Sequence, residues 1–200
     1  MRRIFLVIPV AAALIAGVVA FKLTRRYEPR SELPSAAVVR PAPLFKLYDQ
    51  NSELVRLKER YIGRSKLLIV FYDGTRGPEG SPLLTALRER YADLHATGAA
   101  VLAISAARPS ENRYGKGLER RKAAAESAAK SDAEIRYPFP VLSDILYDWH
   151  RQYGAFDEKT QQPLEAAFIV DHAGFIEYEH IGPERLGQTD DWIRELREVR

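Results

Sequence analysis

The stretch Thr75-Arg76-Gly77-Pro78-Glu79-Gly80-Ser81-Pro82 is where this chain could most readily do chemistry. Ser81 followed by Pro82 marks a helix start: a hydroxyl cap, then a proline at the first helical position, where its missing N–H costs nothing. Free amides at such a start, with flexible glycines and Arg76 alongside, would suit an anion held by Arg76, Gly77, Gly80 and Ser81. Glu79 competes for the same amides, so the leading reading of the stretch is structural. Ser81 lacks the Gly-x-Ser-x-Gly elbow of a nucleophilic serine, and its hydroxyl is expected to cap. His95, His150, His172 and His180 are scattered, without His-x-x-x-His or His-Glu-x-x-His spacing. Only His172 and His180, across a terminal hairpin with Glu179 near, suggest a metal site, and solvent-exposed side chains are the expectation there. No metal and no cofactor is expected. The cysteine count is zero. Thiol nucleophiles, disulfides, thiolate zinc sites and iron–sulfur clusters are therefore excluded.

The elements around this stretch alternate strand and helix. Leu67–Tyr72 is a continuous apolar run, as expected of a central strand covered on both faces. From Ser81 a helix buries Leu83, Leu84, Leu87, Tyr91 and Leu94 and runs to about His95. Ala99–Ser105 is the next buried strand, which makes a parallel crossover unit. Leu118–Lys130 is expected to be a solvated helix, with Arg120-Arg121-Lys122 on a face shared with acidic residues. Phe139–Leu142 is expected as a short strand and Ile145–Tyr153 as a helix with Trp149 inward, stopped by Gly154. Ala166–Val170 and Phe175–Ile181 flank Asp171-His172-Ala173-Gly174, a hairpin signal, and Asp190–Arg200 closes the chain as an amphipathic helix. Crossover first, hairpin and helix last, is the order of an α/β thioredoxin-like fold, a mixed central sheet with helices on both faces.

The 200 residues carry a net charge of +3 and a pI near 9.1. Six basic residues against Glu28 fall within residues 1–30, which leaves 24 basic and 26 acidic groups in residues 31–200. The basic balance thus belongs to the N-terminal segment, and nucleic acid is not an expected partner. Ile4–Phe21 is an uncharged run of eighteen residues, about 27 Å long as a helix and close to the roughly 30 Å of a hydrocarbon core. A cleaved signal peptide is the competing reading. The run exceeds a usual signal core, and Lys22, Arg25 and Arg26 follow it at once, which favours a retained anchor. The expected organisation is an N-terminal membrane anchor over residues 1–30, a Pro/Ala/Ser linker over 31–41 and a single domain over 42–200. Basic residues flank the run on both sides, so they leave its orientation open. Analogy with other tethered thioredoxin-like proteins places the domain on the extracytoplasmic side. The oligomeric state is not specified.

Several segments in order resemble the peroxiredoxin family, the alkyl hydroperoxide reductase and thiol-specific antioxidant (redoxin) branch of the thioredoxin-like proteins. They are Ala42-Pro43-Leu44-Phe45 through Asp49, Val55-Arg56-Leu57, Tyr61-Ile62-Gly63, Leu67–Tyr72, Tyr137–Asp144, Tyr153-Gly154, and Ala167-Phe168-Ile169-Val170-Asp171 with Gly174. The resemblance implies a thiolate at a helix start, beside an arginine. In ungapped register the family's proline falls on Asp73, its threonine on Gly77, its cysteine on Gly80 and its arginine on Glu165. Thioredoxin-type or copper-chaperone registers put the cysteines at Gly77 with Gly80 or Ser81. No register supplies a thiol. The resemblance therefore implies an oxidoreductase frame without its chemistry, a non-catalytic binding or scaffolding module with a protein partner. The alternatives are an oxidoreductase or antioxidant of the redoxin family by family assignment, or an enzyme in which Glu165, Asp73 and Arg76 converge as acid, base and clamp.

Overall fold

The computed structural model describes residues 39–115, 137–183, 186 and 188–199. The expected anchor, the linker up to residue 38, the expected Leu118–Lys130 helix and the Arg120-Arg121-Lys122 run lie outside the described residues. Among the described residues no helix is long and apolar enough to cross a membrane.

In chain order the elements are β1 (Arg40–Pro41), β2 (Lys46–Tyr48), β3 (Leu54–Arg56), α1 (Leu57–Arg60), β4 (Lys66–Phe71), α2 (Pro82–Glu89), α3 (Tyr91–His95) and β5 (Ala99–Ser105). Then follow α4 (Pro109–Tyr114), β6 (Val141–Ser143), α5 (Asp148–Tyr153), β7 (Phe156–Asp157), β8 (Gln162–Pro163), β9 (Ala166–Val170), β10 (Phe175–Ile181) and α6 (Thr189–Glu198). The central sheet runs β1-β10-β9-β4-β5-β6-β2-β3. β4 lies parallel to β5 and antiparallel to β9, so the sheet is mixed. Alternate residues of β4 feed two cores. Leu68, Val70 and Tyr72 pack with Leu84, Leu87 and Leu196 under α2, α3 and α6, while Leu67, Ile69 and Phe71 pack with Phe45, Tyr153 and Phe168 on the other face. A continuous apolar strand is the sequence of such a doubly covered position.

Several boundaries differ from the sequence expectation, mostly for identifiable reasons. The last expected linker residues, Arg40 and Pro41, form β1 against Ile176 and Phe175, and the Arg40 guanidinium reaches Glu179 at 3.0 Å. The expected helix to His95 breaks at Arg90, whose backbone leaves helical geometry while its guanidinium is held by Asp93 and Asp190. β6 begins at Val141 rather than Phe139, because Pro138 and Pro140 have no N–H for a ladder. α5 begins at Asp148 rather than Ile145. Asp144 Oδ2 accepts the amides of Trp149 and His150, Tyr147 adopts a left-handed conformation, and Ile145 and Leu146 are left exposed. The short β7–β8 hairpin has no counterpart in the sequence expectation; Asp157 organises its turn by accepting the Lys159 amide.

Burial holds the phenols of Tyr72 and Tyr153 well above the ordinary value of 10.0. In the folded chain both keep their protons where the unfolded chain releases them. Stability is then flat below the ordinary phenol value and falls as pH rises through it. The denaturation midpoint is expected to hold up to about pH 9 and to drop by about pH 11, with 295 nm absorbance showing tyrosinate appearing with unfolding, and to drop less in Tyr153→Phe.

Candidate functional site

The strands β4 and β5 end side by side, and the chain leaving β4 turns at once into the stretch singled out from the sequence. Tyr72 still pairs with the sheet, its amide donating to Ile104 O at 3.0 Å. Its hydroxyl donates to Asn112 Oδ1 at 2.9 Å, and Asn112 Nδ2 donates to Ser143 Oγ at 3.1 Å, so a fully buried polar chain ties the loop's root to α4 and β6. Asp73 then accepts from the Thr75 amide at 2.8 Å and the Thr75 hydroxyl at 2.7 Å, capping a 3₁₀ turn over Gly74–Arg76. Gly74 lies so close to β5 that a Cβ there would stand 2.9 Å from Ser105 Oγ. A second 3₁₀ turn covers Pro78–Gly80, and Ser81 Oγ accepts from Leu84 N at 3.3 Å to start α2. The expected capping hydroxyl and first-turn proline are both present.

Three further amides of the loop are spent internally. Gly77 N donates to Gly74 O, Gly80 N to Gly77 O and Ser81 N to Pro78 O, all at 3.1–3.2 Å. An anion at Arg76, Gly77, Gly80 and Ser81 would have to break these turns. Beside the loop lies a cleft of about 90 Å³, lined by Asp73, Gly74, Thr75, Ala106, Ala107, Glu111, Tyr147 and Pro163. Both its carboxylates serve turns, since Glu111 Oε2 accepts the Arg108 amide at 2.9 Å. Glu165 immediately precedes β9, and the pairing of Phe71 with Ala166 sets its backbone beside Tyr72. Neither Glu165 nor Arg76 lines the cleft that Asp73 lines.

The histidines sort differently from expectation. His172 is exposed in the β9–β10 turn, whereas His180 pairs with Ala167 at the hairpin's far end and packs its ring against Trp192, so the two do not approach each other. His180 Nε2 is buried rather than solvated. No group of three or more His, Cys, Asp or Glu able to hold a metal occurs among the described residues. His150, unremarkable by spacing, is fully buried, with Nδ1 2.6 Å from Asp144 Oδ2. The available signal was an aspartate ahead of a helix, whose carboxylate would gather the helix's first amides.

Against this geometry the comparisons are decisive. The model of the AhpC/TSA family matches residues 38–179. The chain belongs to the AhpC/TSA family. It is 28% identical over 131 residues to peroxiredoxin 2 of Thermoplasma acidophilum, covering 65% of this chain but only 61% of that protein, less than two thirds of its length. It is 29% identical over 142 residues to alkyl hydroperoxide reductase E of Mycobacterium bovis, covering 68% and 80% of the two chains. Its fold is similar to that of peroxidoxin BcpB from Mycobacterium tuberculosis (TM-score 0.63, 17% identity, 82% of this chain and 98% of that one). The mitochondrial 2-Cys peroxiredoxin of Plasmodium falciparum gives a TM-score of 0.57 at 18% identity, over 80% and 92%. The peroxiredoxin-like, thioredoxin-type fold expected from the sequence is thus shown, in an AhpC/TSA chain without a cysteine.

Within this AhpC/TSA chain, Gly80, to which the resemblance assigns the cysteine, and Gly77, a cysteine position in the other registers, are both shaped for glycine. Gly77 has φ 78° and ψ 169°, a conformation essentially reserved for glycine. Gly80 has no room for a side chain, because a Cβ there would meet Arg76 Cβ at 2.7 Å. The loop leaves no gap at position 80. At an unconstrained loop site, alanine in place of glycine stabilises slightly. Here Gly77→Ala and Gly80→Ala are each expected to lower stability by about 1–3 kcal/mol in chemical denaturation.

Proposed function

We propose that this AhpC/TSA chain is a membrane-tethered, non-catalytic binding or scaffolding module that acts through a protein partner. The observation that carries the reading is Gly80, a glycine at the family's cysteine position, with Arg76 Cβ where a side chain would begin. The chemistry of a peroxide-reducing thiol needs a thiolate with a lowered pKa at a helix start. This chain has no cysteine, and the amides of Gly77, Gly80 and Ser81 are already donated within the loop. Tethering is supported by the uncharged run Ile4–Phe21 with basic residues on both flanks. An extracytoplasmic domain is supported by analogy with other tethered thioredoxin-like proteins. The slightly acidic balance of residues 31–200 argues for a partner other than nucleic acid.

The test is peroxide consumption by the full-length chain in detergent, with dithiothreitol as reductant. No rate above a heat-killed control is expected, and Gly80→Cys is expected to react no faster than a free thiol. Saturable consumption of hydrogen peroxide by the unaltered chain would overturn the reading. In parallel, the chain is expected to stay with membranes after alkaline carbonate extraction; release into the supernatant would remove the tether.

A further inference from the structure

Three separate stretches of the chain close on the β9–β10 turn. Ala42 N donates to Gly174 O at 2.9 Å, and Gly63 N donates to His172 O at 2.7 Å. Ile62 packs against Gly174, with its Cδ1 3.2 Å from where a Cβ would stand. β1 pairs Pro41 with Phe175 at the start of β10. The corner is therefore a preformed surface, fixed by backbone hydrogen bonds on two sides.

At its centre the surface is apolar. Val39 is 68% and Phe175 40% exposed. Pro41 is exposed as well, and as the cross-strand partner of Phe175 it lies on the same side of the sheet. Single exposed apolar residues need no explanation, but here the strand register gathers them. Arg64 and His172, both exposed, adjoin the turn through the Gly63–His172 bond. Arg64 has no carboxylate partner among the described residues, whereas Arg40, Arg90, Arg151 and Arg194 each reach one. An apolar centre with a free cation at its rim has the composition of a surface that lies in a lipid interface.

The corner is also where the N-terminal chain arrives. Val39 is the first described residue, and residues 22–38 alone separate it from the uncharged run that ends at Phe21. Fully extended, those residues reach at most about 60 Å, so a membrane that holds the run keeps the corner at high local concentration near lipid. Strand direction adds a consequence. β9 runs from Ala166 beside Phe71 to Val170 beside Leu67, so its turn lies at the end of β4 opposite to the Gly74–Ser81 loop.

We propose that the β9–β10 corner, with Val39, Pro41 and Phe175 at its centre and Arg64 at its rim, docks on the phospholipid surface of the membrane that holds the chain. The inference rests on the tether reading and adds to it the face that meets lipid. The three apolar side chains enter the headgroup region, and the Arg64 guanidinium meets lipid phosphate. Docked this way, the domain turns the Gly74–Ser81 loop and its cleft away from the lipid, toward a protein partner.

The absence of cysteine makes the test direct, because one introduced thiol takes one label. Ala173→Cys in the exposed β9–β10 turn and Lys159→Cys in the β7–β8 turn each carry a nitrobenzoxadiazole group. Each full-length variant is labelled in detergent and reconstituted into phosphatidylcholine vesicles with about 20 mol% phosphatidylglycerol, with and without a doxyl-lipid quencher. The quencher is expected to remove at least about half of the emission at position 173 and to leave position 159 unchanged. Adding Phe175→Ser and Arg64→Ser to the Ala173→Cys chain is expected to abolish the quenching, with circular dichroism checking the fold. If that variant does not fold, Arg64→Glu alone replaces it and is expected to cut the quenching at least about twofold. Vesicle flotation keeps the two readings apart. A chain that does not float overturns the tether and the docking with it; a chain that floats with position 173 unquenched overturns the docking alone. Equal quenching at both positions, or quenching that survives in the folded corner variant, also overturns the docking. An unquenched position 173 whose emission shifts to the blue as the protein-to-lipid ratio rises assigns the corner to a second copy instead of lipid.

Discussion

The position of β4 between β5 and β9 is the constraint on which the rest of the molecule depends. Six residues of β4, Lys66 to Phe71, pair with Ala99 to Ile104 on one side, and Leu67 to Phe71 pair with Val170 to Ala166 on the other. Every side chain from Leu67 to Tyr72 is buried, alternating between two cores. Such a strand cannot slip by one residue without exchanging its two faces, so the point at which it ends is fixed. The chain beyond Phe71 must turn at once, and both Gly74 against Ser105 and Tyr72 against Asn112 are consequences of that fixed end. Even the far terminus answers to the same strand, since the Lys66 ammonium donates to the carbonyls of Leu196 and Val199, both at 2.8 Å, at the C-terminal end of α6.

That constraint explains which parts of the fold were legible in the sequence. Ala99–Ser105 and Ala166–Val170 match their strands to the residue, because burial on a sheet leaves an apolar signature, and Phe175–Ile181 does so because the Asp171–Gly174 turn sets where it begins. Element ends decided by single side chains were not legible. Nothing in apolar periodicity says that Asp144 will draw in the amides of Trp149 and His150 and so delay α5 until Asp148. Nor does it say that Arg90 will be held by an aspartate one hundred residues away. In the site, the Ser81 cap and the Pro82 start were legible because they are local chemistry. The closure of Gly80 by Arg76 was not, since it depends on how two successive 3₁₀ turns fold the loop back on itself.

A lost thiol and a rebuilt loop are different physical states. Had the loop kept a shape suited to a side chain at position 80, glycine there would leave space and flexible backbone. Instead the two turns bring Arg76 Cβ to 2.7 Å from where a Cβ of residue 80 would sit, and Gly77 occupies backbone space that other residues avoid. The amides of Gly77, Gly80 and Ser81, just ahead of α2, are consumed in the same turns. Packing and hydrogen bonding therefore agree: Arg76 crowds the side-chain position of Gly80, and the amides of Gly77, Gly80 and Ser81 are satisfied within the loop.

The acidic side chains complete this picture. Asp49 accepts the amides of Asn51 and Glu53, Asp73 that of Thr75, Asp157 that of Lys159 and Asp171 that of Phe175, each in a turn. These carboxylates do what aspartate does in turns, replacing a backbone partner, and a group so occupied is poorly placed to move a proton. The Lys159 amide and the Thr160 hydroxyl hold Asp157 below its ordinary value, the signature of that use. Asp144 departs from the pattern. It gathers amides like the others, but its oxygen also meets an imidazole, and the far nitrogen of that imidazole is left without a partner. A carboxylate that only shaped a turn would need no histidine behind it. Among these turn-forming aspartates, Asp144 is the one paired with a fully buried imidazole.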